Sequence, residues 1–283
     1  MFKKNKTSTL LNNGSEIPLI GYGTYMSPSS EETINNVRYA LKTGYRLIDT
    51  AARYGNEHEV GEAIKNSKIK REDIFVTSKL WNDDQGHEST IKAFEESKKK
   101  LQLKYIDLYL IHWPVIKGKE EEWQKLNMES WEAMEDLYFN NEIKAIGVSN
   151  FEIIHLENIL RICKIKPMVN QIEMHPGLNN TKLIKFCKKH NILVQAYAPL
   201  VHGKAGENPL LQKLAKKYNK SIAQICIRWC LQHGVIPLPK SSHKDRISSN
   251  FDVFDFKLSF FDMHKIDNDK YFSRLFSDPN KGK

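Results

Sequence analysis

The 283-residue sequence lacks several features that would assign it to a specialised class of protein. No apolar run approaches the roughly 20 residues that a membrane-spanning helix requires. The N-terminal residues 1–6 have no apolar core of the kind that a signal peptide needs. The four cysteines, Cys163, Cys187, Cys226 and Cys230, show neither zinc-ligand spacing nor the density of a disulfide scaffold. These absences predict a cytoplasmic protein with reduced core thiols, no metal and no membrane partner.

Charge of one sign is also not concentrated anywhere, although the net charge is +9. The lysines are spread over amphipathic helical patterns, as at 98–100, 188–189 and 216–217, and form no basic arm. They are interpreted as solvated helix faces with some attraction for anionic ligands. Nucleic-acid binding is therefore not expected, and it would be detected as salt-sensitive retention of an oligonucleotide.

Motifs of several enzyme classes are missing. The sequence contains no nucleophile elbow, no H-E-x-x-H and no P-loop, so acyl transfer, zinc hydrolysis and NTP hydrolysis lose support. Gly21-Tyr22-Gly23 is followed by Met26 where a dinucleotide-binding Rossmann motif would have its third glycine. An open Rossmann-type sheet is therefore kept only as the alternative to the barrel architecture described next.

Strand-length apolar runs alternate with helical patterns along almost the whole chain. Eight strands, each followed by a helix, predict a parallel sheet that closes into a single-domain (β/α)8 barrel over residues 1–283. The predicted strands are 19–24, 46–48, 74–78, 106–111, 143–148, 168–170, 192–196 and 235–238. The main predicted helices are 57–66, 88–101, 129–140, 151–163, 181–190, 209–218 and 221–232, together with one that ends before Gly44.

Local signals supplement this pattern at both ends of the chain. Two short apolar stretches around Asn12-Asn13-Gly14 predict an N-terminal β-hairpin, which would cover one end of the barrel. Residues 29–32 offer a capping box for the first helix. In the C-terminal part the aromatic residues Phe251, Phe254 and Phe256 predict packing on the barrel, before a helical pattern at 259–267 and a polar tail.

Polar or phenolic groups follow seven consecutive predicted strands. In a barrel these strand ends lie on one rim, the C-terminal face, where barrel enzymes build their active sites. The residues are Asp49, Lys79, His112, Ser149-Asn150, Gln171, Tyr197 and Lys240-Ser241. The convergence depends on the prediction of a barrel.

Asp49 and the nearby Tyr54 acquire a chemical interpretation beside Lys79 and His112. A neighbouring ammonium favours phenolate and is expected to lower the pKa of Tyr54, which suits a proton donor. Asp49 would hold Lys79 charged, and His112 would orient a carbonyl oxygen. Carbonyl reduction needs this set of groups. The alternative is that Asp49 caps a turn and Tyr54 is a half-buried loop aromatic.

Seven sequence motifs resemble those of the aldo-keto reductase superfamily and occur in the same order along the chain. The resemblance extends from about Leu11 to Asp278. They are GYRLIDTA (44–51), YGNE (54–57), SKLW (78–81), DLYLIHWP (107–114), IGVSNF (146–151), NQIEMHP (170–176) and IPLPKS (236–241). The chain resembles short microbial and protozoal members, such as 2,5-diketogluconate reductases and prostaglandin F synthase-like enzymes, more than the long steroid dehydrogenases. The resemblance implies that Asp49, Tyr54, Lys79 and His112 form a catalytic tetrad, with Tyr54 as proton donor.

The resemblance further implies NADPH as cofactor. Ser149, Asn150 and Gln171 match positions that bind the nicotinamide carboxamide, and Tyr197 matches the aromatic residue on which its ring stacks. Taken alone, Asn150 fits a helix N-cap before Phe151, and Tyr197 fits a barrel-layer aromatic.

The adenosine end of the cofactor has its own matching residues. Lys240, Ser241 and Arg246 match the cluster around the 2′-phosphate, although most such basic pairs are simply solvated. Asn250 matches an adenine contact. Ser249 replaces the glutamate that often precedes this asparagine, so position 249 has no assigned role.

The substrate pocket is expected to be aromatic. Trp81, Trp113 and His112 would line it, with Tyr22 or Tyr25 from the first loop, and such a pocket accepts many aldehydes. The sequence thus predicts a monomeric, NADPH-dependent reductase of aldehydes and some ketones that acts on small-molecule carbonyl substrates. The alternative is a cofactor-sensing or interaction protein with little turnover, similar to the auxiliary potassium-channel subunits. Arg53 has no predicted role.

Overall fold

A computed structural model describes residues 7–283 of the chain. It begins with the predicted hairpin, in which β1 (Ser8–Leu10) pairs antiparallel with β2 (Glu16–Pro18). Asn12 in the turn donates side-chain hydrogen bonds to the carbonyl oxygens of Pro167 and Asn191, which precede two barrel strands. The hairpin therefore covers the N-terminal end of the barrel, opposite the rim on which the candidate site was predicted.

Eight parallel strands form the barrel in chain order. They are β3 (Gly21–Gly23), β4 (Leu47–Asp49), β5 (Phe75–Leu80), β6 (Leu108–Ile111), β7 (Ile146–Ser149), β8 (Val169–Glu173), β9 (Leu193–Tyr197) and β10 (Ile236–Pro237). The first and last strands meet at a seam, where the Gly23 amide donates a hydrogen bond of 3.0 Å to the carbonyl of Pro239. This topology confirms the (β/α)8 prediction and removes the open sheet as an alternative.

The helices surround the strands. They are α1 (Glu31–Thr43), α2 (Glu57–Lys65), α3 (His87–Lys100), α4 (Trp123–Phe139), α5 (Ile153–Leu160), α6 (Thr181–Lys189), α7 (Pro209–Tyr218), α8 (Ile222–Gln232), α9 (Lys244–Phe251) and α10 (Phe260–Asp267). The prediction for α4 was wrong at its start, because the helix already begins at Trp123. Tertiary contacts hold its first turns: the buried Asn127 side chain donates to the Pro114 carbonyl, and the Trp123 ring packs edge-on against His155.

The ends of α1 differ from the prediction at one point. Ser30 occupies the N-cap position, but its side chain makes no capping hydrogen bond, so the predicted capping box does not form. At the other end Gly44 adopts φ 126°, which side chains rarely adopt, and a Cβ there would lie 2.9 Å from the Phe251 ring. Gly44 thus lets α1 end directly against α9.

The cysteines are free thiols, as predicted. Cys187, Cys226 and Cys230 are buried in α6 and α8, whereas Cys163 is half-buried. Burial raises the pKa of Cys226 to about 12, so this thiol is unreactive at neutral pH. Among residues 7–283 no helix is long and apolar enough to cross a membrane, and no three His, Cys, Asp or Glu side chains converge on a possible metal site.

The C-terminal part packs on the barrel, as its aromatic residues predicted. After α10, residues 271–283 run along the C-terminal mouth. The backbone amides of Leu275 and Phe276 donate to the buried carboxylate of Glu173 at the end of β8, and His175 lies 3.0 Å from the same carboxylate. The Phe276 ring meets Tyr197 edge-on, with 5.1 Å between centroids. This terminal segment therefore forms part of the wall of the mouth.

His155 makes the stability of the fold sensitive to acid. It is buried in the first turn of α5, where its Nδ1 accepts a hydrogen bond of 3.1 Å from the Glu152 amide, so Nδ1 must be unprotonated. Burial lowers its pKa from 6.5 to about 4, against a weaker opposing effect of Asp278. As pH falls, the unfolded chain therefore binds this proton first. The free energy of unfolding therefore has its full value above about pH 6.5, and the titration of His155 lowers it by about 3 kcal/mol by pH 4.

We expect His155→Gln to flatten this part of the pH profile, since glutamine does not titrate. Denaturant unfolding of wild type and variant between pH 7 and pH 4 measures the difference in slope. His58→Gln, which removes an exposed imidazole from α2, is the control and should keep the wild-type slope. Parallel curves for wild type and His155→Gln would contradict the assignment.

Candidate active site

The strand ends bring Asp49, Lys79, Tyr54 and His112 together. Lys79 Nζ lies 2.8 Å from each Asp49 carboxylate oxygen, 2.8 Å from the Thr50 carbonyl and 3.3 Å from the Tyr54 hydroxyl. The Tyr54 and His112 rings are 5.8 Å apart, edge to face. Asp49, Lys79 and His112 come from the neighbouring strands β4, β5 and β6 or directly after them. The four side chains form one cluster at the C-terminal mouth.

Tyr54 is positioned by a short 3₁₀ turn, Ala52–Tyr54, that follows β4. Gly55 ends the turn with φ 69°. The next residue, Asn56, is fully buried and fastens the turn: its side chain donates to the Thr24 and Ser27 carbonyls and accepts from the Thr50 hydroxyl. Asn56 occupies the N-cap position of α2, yet its side chain serves the neighbouring loop instead of the helix. Its role is therefore to hold Tyr54 over Lys79.

The pKa of Tyr54 moves opposite to the prediction. Burial raises it well above 10, and the nearby Asp49 carboxylate adds to the increase. The expectation of a lowered pKa for Tyr54 was therefore wrong, because desolvation of the buried phenol raises it. Burial also lowers the pKa of Lys79, while its contact with Asp49 opposes that change. Tyr54 consequently keeps its proton throughout the neutral pH range.

His112 is a neutral imidazole at physiological pH. Burial lowers its pKa well below 6.5, and the charges of Lys79, Lys283 and Arg53 lower it further. Within the described residues 7–283 its ring nitrogens make no hydrogen bond, and Nδ1 is buried without a partner. The Trp81 ring lies edge-on to it at 5.2 Å. The imidazole is thus available to a polar group that enters the mouth.

The residues expected at the nicotinamide adjoin the tetrad. Asn150 donates to the His112 carbonyl at 2.9 Å, and its side-chain oxygen accepts from the Tyr197 hydroxyl at 2.7 Å. Gln171 donates to Asp49 at 2.7 Å, and the Ser149 hydroxyl donates to the Gln171 carbonyl at 2.9 Å. One hydrogen-bond network thus joins these four residues to the four of the tetrad.

Asn150 is not a helix cap. The N-cap of α5 is Glu152, and Asn150 itself has φ 63°, a left-handed conformation that asparagine tolerates better than most residues. This backbone turn directs the Asn150 amide toward His112 and Tyr197 instead of toward α5. The simpler interpretation of Asn150 is therefore wrong.

The residues expected at the adenosine phosphate follow β10. Lys240 donates to the Met26 carbonyl at 3.4 Å, Arg246 is exposed, and neither forms an ion pair within residues 7–283. The Ser241 hydroxyl accepts from the His243 amide. Asn250 is buried, and its side-chain oxygen has no partner in the described part of the chain. Two free cations and an unsatisfied buried amide fit a phosphorylated adenosine.

The aromatic residues expected at the substrate pocket separate into two groups. Trp81 contacts His112, and the buried Trp113 follows His112 directly. Tyr22 is buried instead against Tyr45, and its hydroxyl donates to the Ser241 carbonyl at 2.7 Å. Its neighbour Tyr25 is exposed, with its ring 5.1 Å from that of Tyr54. Of the two tyrosines predicted for the pocket, Tyr25 lies beside the tetrad, whereas Tyr22 is a packing residue.

Comparison with known proteins shows the family of the chain. The family model described as the Aldo/keto reductase family matches residues 19–269. The chain belongs to the aldo/keto reductase family. It is 49% identical to glyoxal reductase of Bacillus subtilis over 93% of this chain and 92% of that protein. It is 41% identical to methylglyoxal reductase DkgA of Escherichia coli (strain K12), over 98% of each.

A solved aldo-keto reductase of Bombyx mori in complex with NADP superposes on this reductase with a TM-score of 0.84. The two sequences are 37% identical, over 93% of this chain and 92% of that chain. Family membership makes this protein an NADP-dependent oxidoreductase that reduces carbonyl compounds. The unpaired Lys240 and Arg246 and the unsatisfied Asn250 amide are consistent with that cofactor.

The sequence did not predict several residues that support the site of this aldo/keto reductase. Gln195 accepts from Gln171 inside the barrel at 3.0 Å, and Glu173 with Phe276 fixes the terminal segment over the mouth. A polar residue among the apolar residues of β9 was a signal for Gln195. No signal linked Glu173 to Phe276, because the contact joins residues about a hundred positions apart.

Proposed function

We propose that this aldo/keto reductase uses NADPH to reduce aldehydes, including small dicarbonyl compounds, and some ketones, with Tyr54 as the proton donor. The observation that carries the proposal is the Lys79 ammonium, which contacts both the Asp49 carboxylate and the Tyr54 hydroxyl beside a neutral His112. The relatives named as glyoxal and methylglyoxal reductases support the substrate class. A monomeric state and a cytoplasmic location stay predictions.

Proton transfer is the task of the tetrad. When bound, NADPH supplies the hydride that reduces the carbonyl carbon. The neutral imidazole of His112 would donate a hydrogen bond to the carbonyl oxygen and orient it toward Tyr54. Tyr54 would then deliver its proton to the same oxygen as negative charge develops there. Lys79, 3.3 Å from the phenolic oxygen, would stabilise the resulting phenolate, and Asp49 would keep Lys79 in place.

The cofactor would be held by two groups of residues. Ser149, Asn150 and Gln171 would bind the carboxamide of the nicotinamide, and Tyr197 would support its ring. At the other end Lys240, Ser241 and Arg246 would bind the 2′-phosphate, and the unpartnered side-chain oxygen of Asn250 would accept from the adenine amino group. The hydrogen bond from Gln171 to Asp49 would couple the nicotinamide position to the tetrad.

A carbonyl panel tests the function. NADPH oxidation is followed at saturating cofactor with glyoxal, methylglyoxal, an aromatic aldehyde and a simple ketone. We expect multiple turnovers with the aldehydes and slower reduction of the ketone. Binding of NADPH without multiple turnover on any of these compounds would instead support the cofactor-sensing alternative and contradict the proposal.

Arg246→Ala should weaken NADPH binding far more than NADH binding. The loss of a charge-assisted contact to the 2′-phosphate raises the Kd for NADPH by about 10- to 100-fold, whereas NADH has no such phosphate. Fluorescence titration of both cofactors measures the two ratios. Arg161→Ala, which removes an exposed arginine at the C-terminal end of α5, serves as control. Equal losses for NADPH and NADH would remove Arg246 from the phosphate site.

A further inference from the structure

Arg53 lies at the edge of the mouth, beside the tetrad but outside it. It is exposed in the turn Ala52–Tyr54, and its guanidinium carbon is 5.2 Å from the centre of the Trp81 ring. The Trp81 ring is in turn 5.2 Å from that of His112. The guanidinium therefore cannot be farther from the imidazole than these two distances added together. This separation is within the span of a small aromatic carbonyl compound.

The positive charge of Arg53 has no carboxylate partner in the part of the chain that the structure describes. Within residues 7–283 its guanidinium forms no ion pair and donates no hydrogen bond to another side chain. A second cation lies nearby, since the Lys283 ammonium is 5.5 Å from the centre of the Trp113 ring and donates a hydrogen bond of 3.4 Å to the Ser277 hydroxyl. Desolvation and the charge of Lys79 lower the pKa of His112 the most, and the charges of Lys283 and Arg53 lower it further. The positive charges of Arg53 and Lys283 thus act at His112.

The contact with the Trp81 ring restrains the exposed side chain of Arg53. A guanidinium over an indole is attracted by the ring, and its planar set of N–H donors stays free to bind an anion. Because this contact already restrains the side chain, binding an anion costs less conformational entropy than it would at a free arginine. If Arg53 served only to cover Trp81, its N–H groups would not need an anion as partner.

We propose that Arg53 binds the carboxylate of the substrate and makes the enzyme selective for carbonyl compounds that carry one. The inference rests on the proposed function and deepens it, because it names the chemical class of substrate that the same site prefers. The carboxylate lies at the end of the substrate remote from the carbonyl group. Arg53 is accordingly a specificity residue and takes no part in proton transfer.

Two aldehydes of nearly equal shape test the proposal. The first, 4-carboxybenzaldehyde, carries the carboxylate, whereas methyl 4-formylbenzoate is its neutral ester. We expect wild type to favour the acid in kcat/KM. In Arg53→Met the acid-to-ester ratio should fall about 10-fold, mainly through KM, since a remote anchor binds ground state and transition state alike. Arg53→Lys, which keeps the charge, should recover part of the ratio.

Arg161→Met is the matched control. It removes the same charge from the opposite end of the barrel, because the helices run antiparallel to the strands and α5 ends there. This variant should keep the wild-type ratio. If Arg53→Met and Arg161→Met give the same ratio as wild type, Arg53 only covers Trp81 and the proposal is overturned.

A binding measurement separates this inference from the proposed function. Terephthalate, which cannot be reduced, is titrated calorimetrically into protein saturated with NADP⁺. Its Kd should rise about 10-fold in Arg53→Met and stay at the wild-type value in Arg161→Met. If wild type reduces neither aldehyde, the proposed function fails and this titration alone decides on Arg53. An unchanged Kd in Arg53→Met overturns the carboxylate assignment.

Discussion

Tyr54→Phe is expected to lower kcat for aldehyde reduction by about 10²- to 10⁴-fold, the usual contribution of a positioned general acid. The substitution removes one oxygen atom and keeps the ring, so the packing against Tyr25 and His112 persists. The phenol is protonated at neutral pH because burial and Asp49 raise its pKa. Steady-state kinetics with an aromatic aldehyde at saturating NADPH measures the loss.

Tyr25→Phe is the control for this experiment. Its hydroxyl belongs to an exposed neighbouring phenol that makes no contact with Lys79, and its removal should change kcat by less than about 3-fold, far from the loss of a general acid. NADPH titration should give similar Kd values for wild type and Tyr54→Phe. A Tyr54→Phe enzyme with wild-type kcat would show that another group delivers the proton.

Lys79→Met is expected to lower the free energy of unfolding by about 3–5 kcal/mol. Lys79 is fully buried, and its ammonium is the cation that contacts both oxygens of the buried Asp49 carboxylate. Methionine fills much of the same volume but leaves that carboxylate uncompensated in a low-dielectric interior. Urea unfolding at pH 7 measures the loss, together with the fall in kcat.

Two variants make the result interpretable. Asp49→Asn combined with Lys79→Met removes both charges and should recover a large part of the stability, although not the activity. Lys98→Met breaks a more exposed ion pair with Glu142 and should cost less than about 1 kcal/mol. Equal losses of unfolding free energy in Lys79→Met and Lys98→Met would show that the buried ion pair contributes no more to stability than the exposed one.

The general architecture followed from local pattern. Strand-length apolar runs alternating with helices predicted the barrel, and a parallel barrel necessarily brings its strand ends to one rim. The same pattern predicts that Asp49, Lys79 and His112 lie close together. Their convergence is a property of topology, so no side-chain detail was needed to predict it.

Other features could not be predicted because they depend on tertiary contacts. Asn150 precedes a helix and fits a cap, but its left-handed backbone directs the amide to His112. Tyr22 and Tyr25 are equally aromatic in sequence, and only the direction of β3 makes one a packing residue and the other a neighbour of Tyr54. The pKa of Tyr54 depends on how deeply the cluster is buried, a quantity that motif matching does not contain.

Arg53 illustrates the same limit. In sequence it is a basic residue between two residues of the tetrad, with no partner to suggest a role. Its position over Trp81 arises because the turn Ala52–Tyr54 and the end of β5 approach each other at the mouth. The terminal segment that forms part of the wall of the mouth likewise has no periodic sequence pattern. Its contact with Glu173 is made by backbone amides, so no side chain of the segment indicates it.

The seam between β3 and β10 has a consequence for the order of folding. Every other pair of adjacent barrel strands is also adjacent along the chain, so the loops that must close between them are comparatively short. The hydrogen bond from Gly23 to Pro239 instead joins the two ends of the sheet, and the entropy of closing so long a loop makes this the most costly contact to form. Pro237 and Pro239 carry no N–H group with which to extend the pairing. We therefore expect this junction to form late, so that the active-site rim is completed near the end of folding.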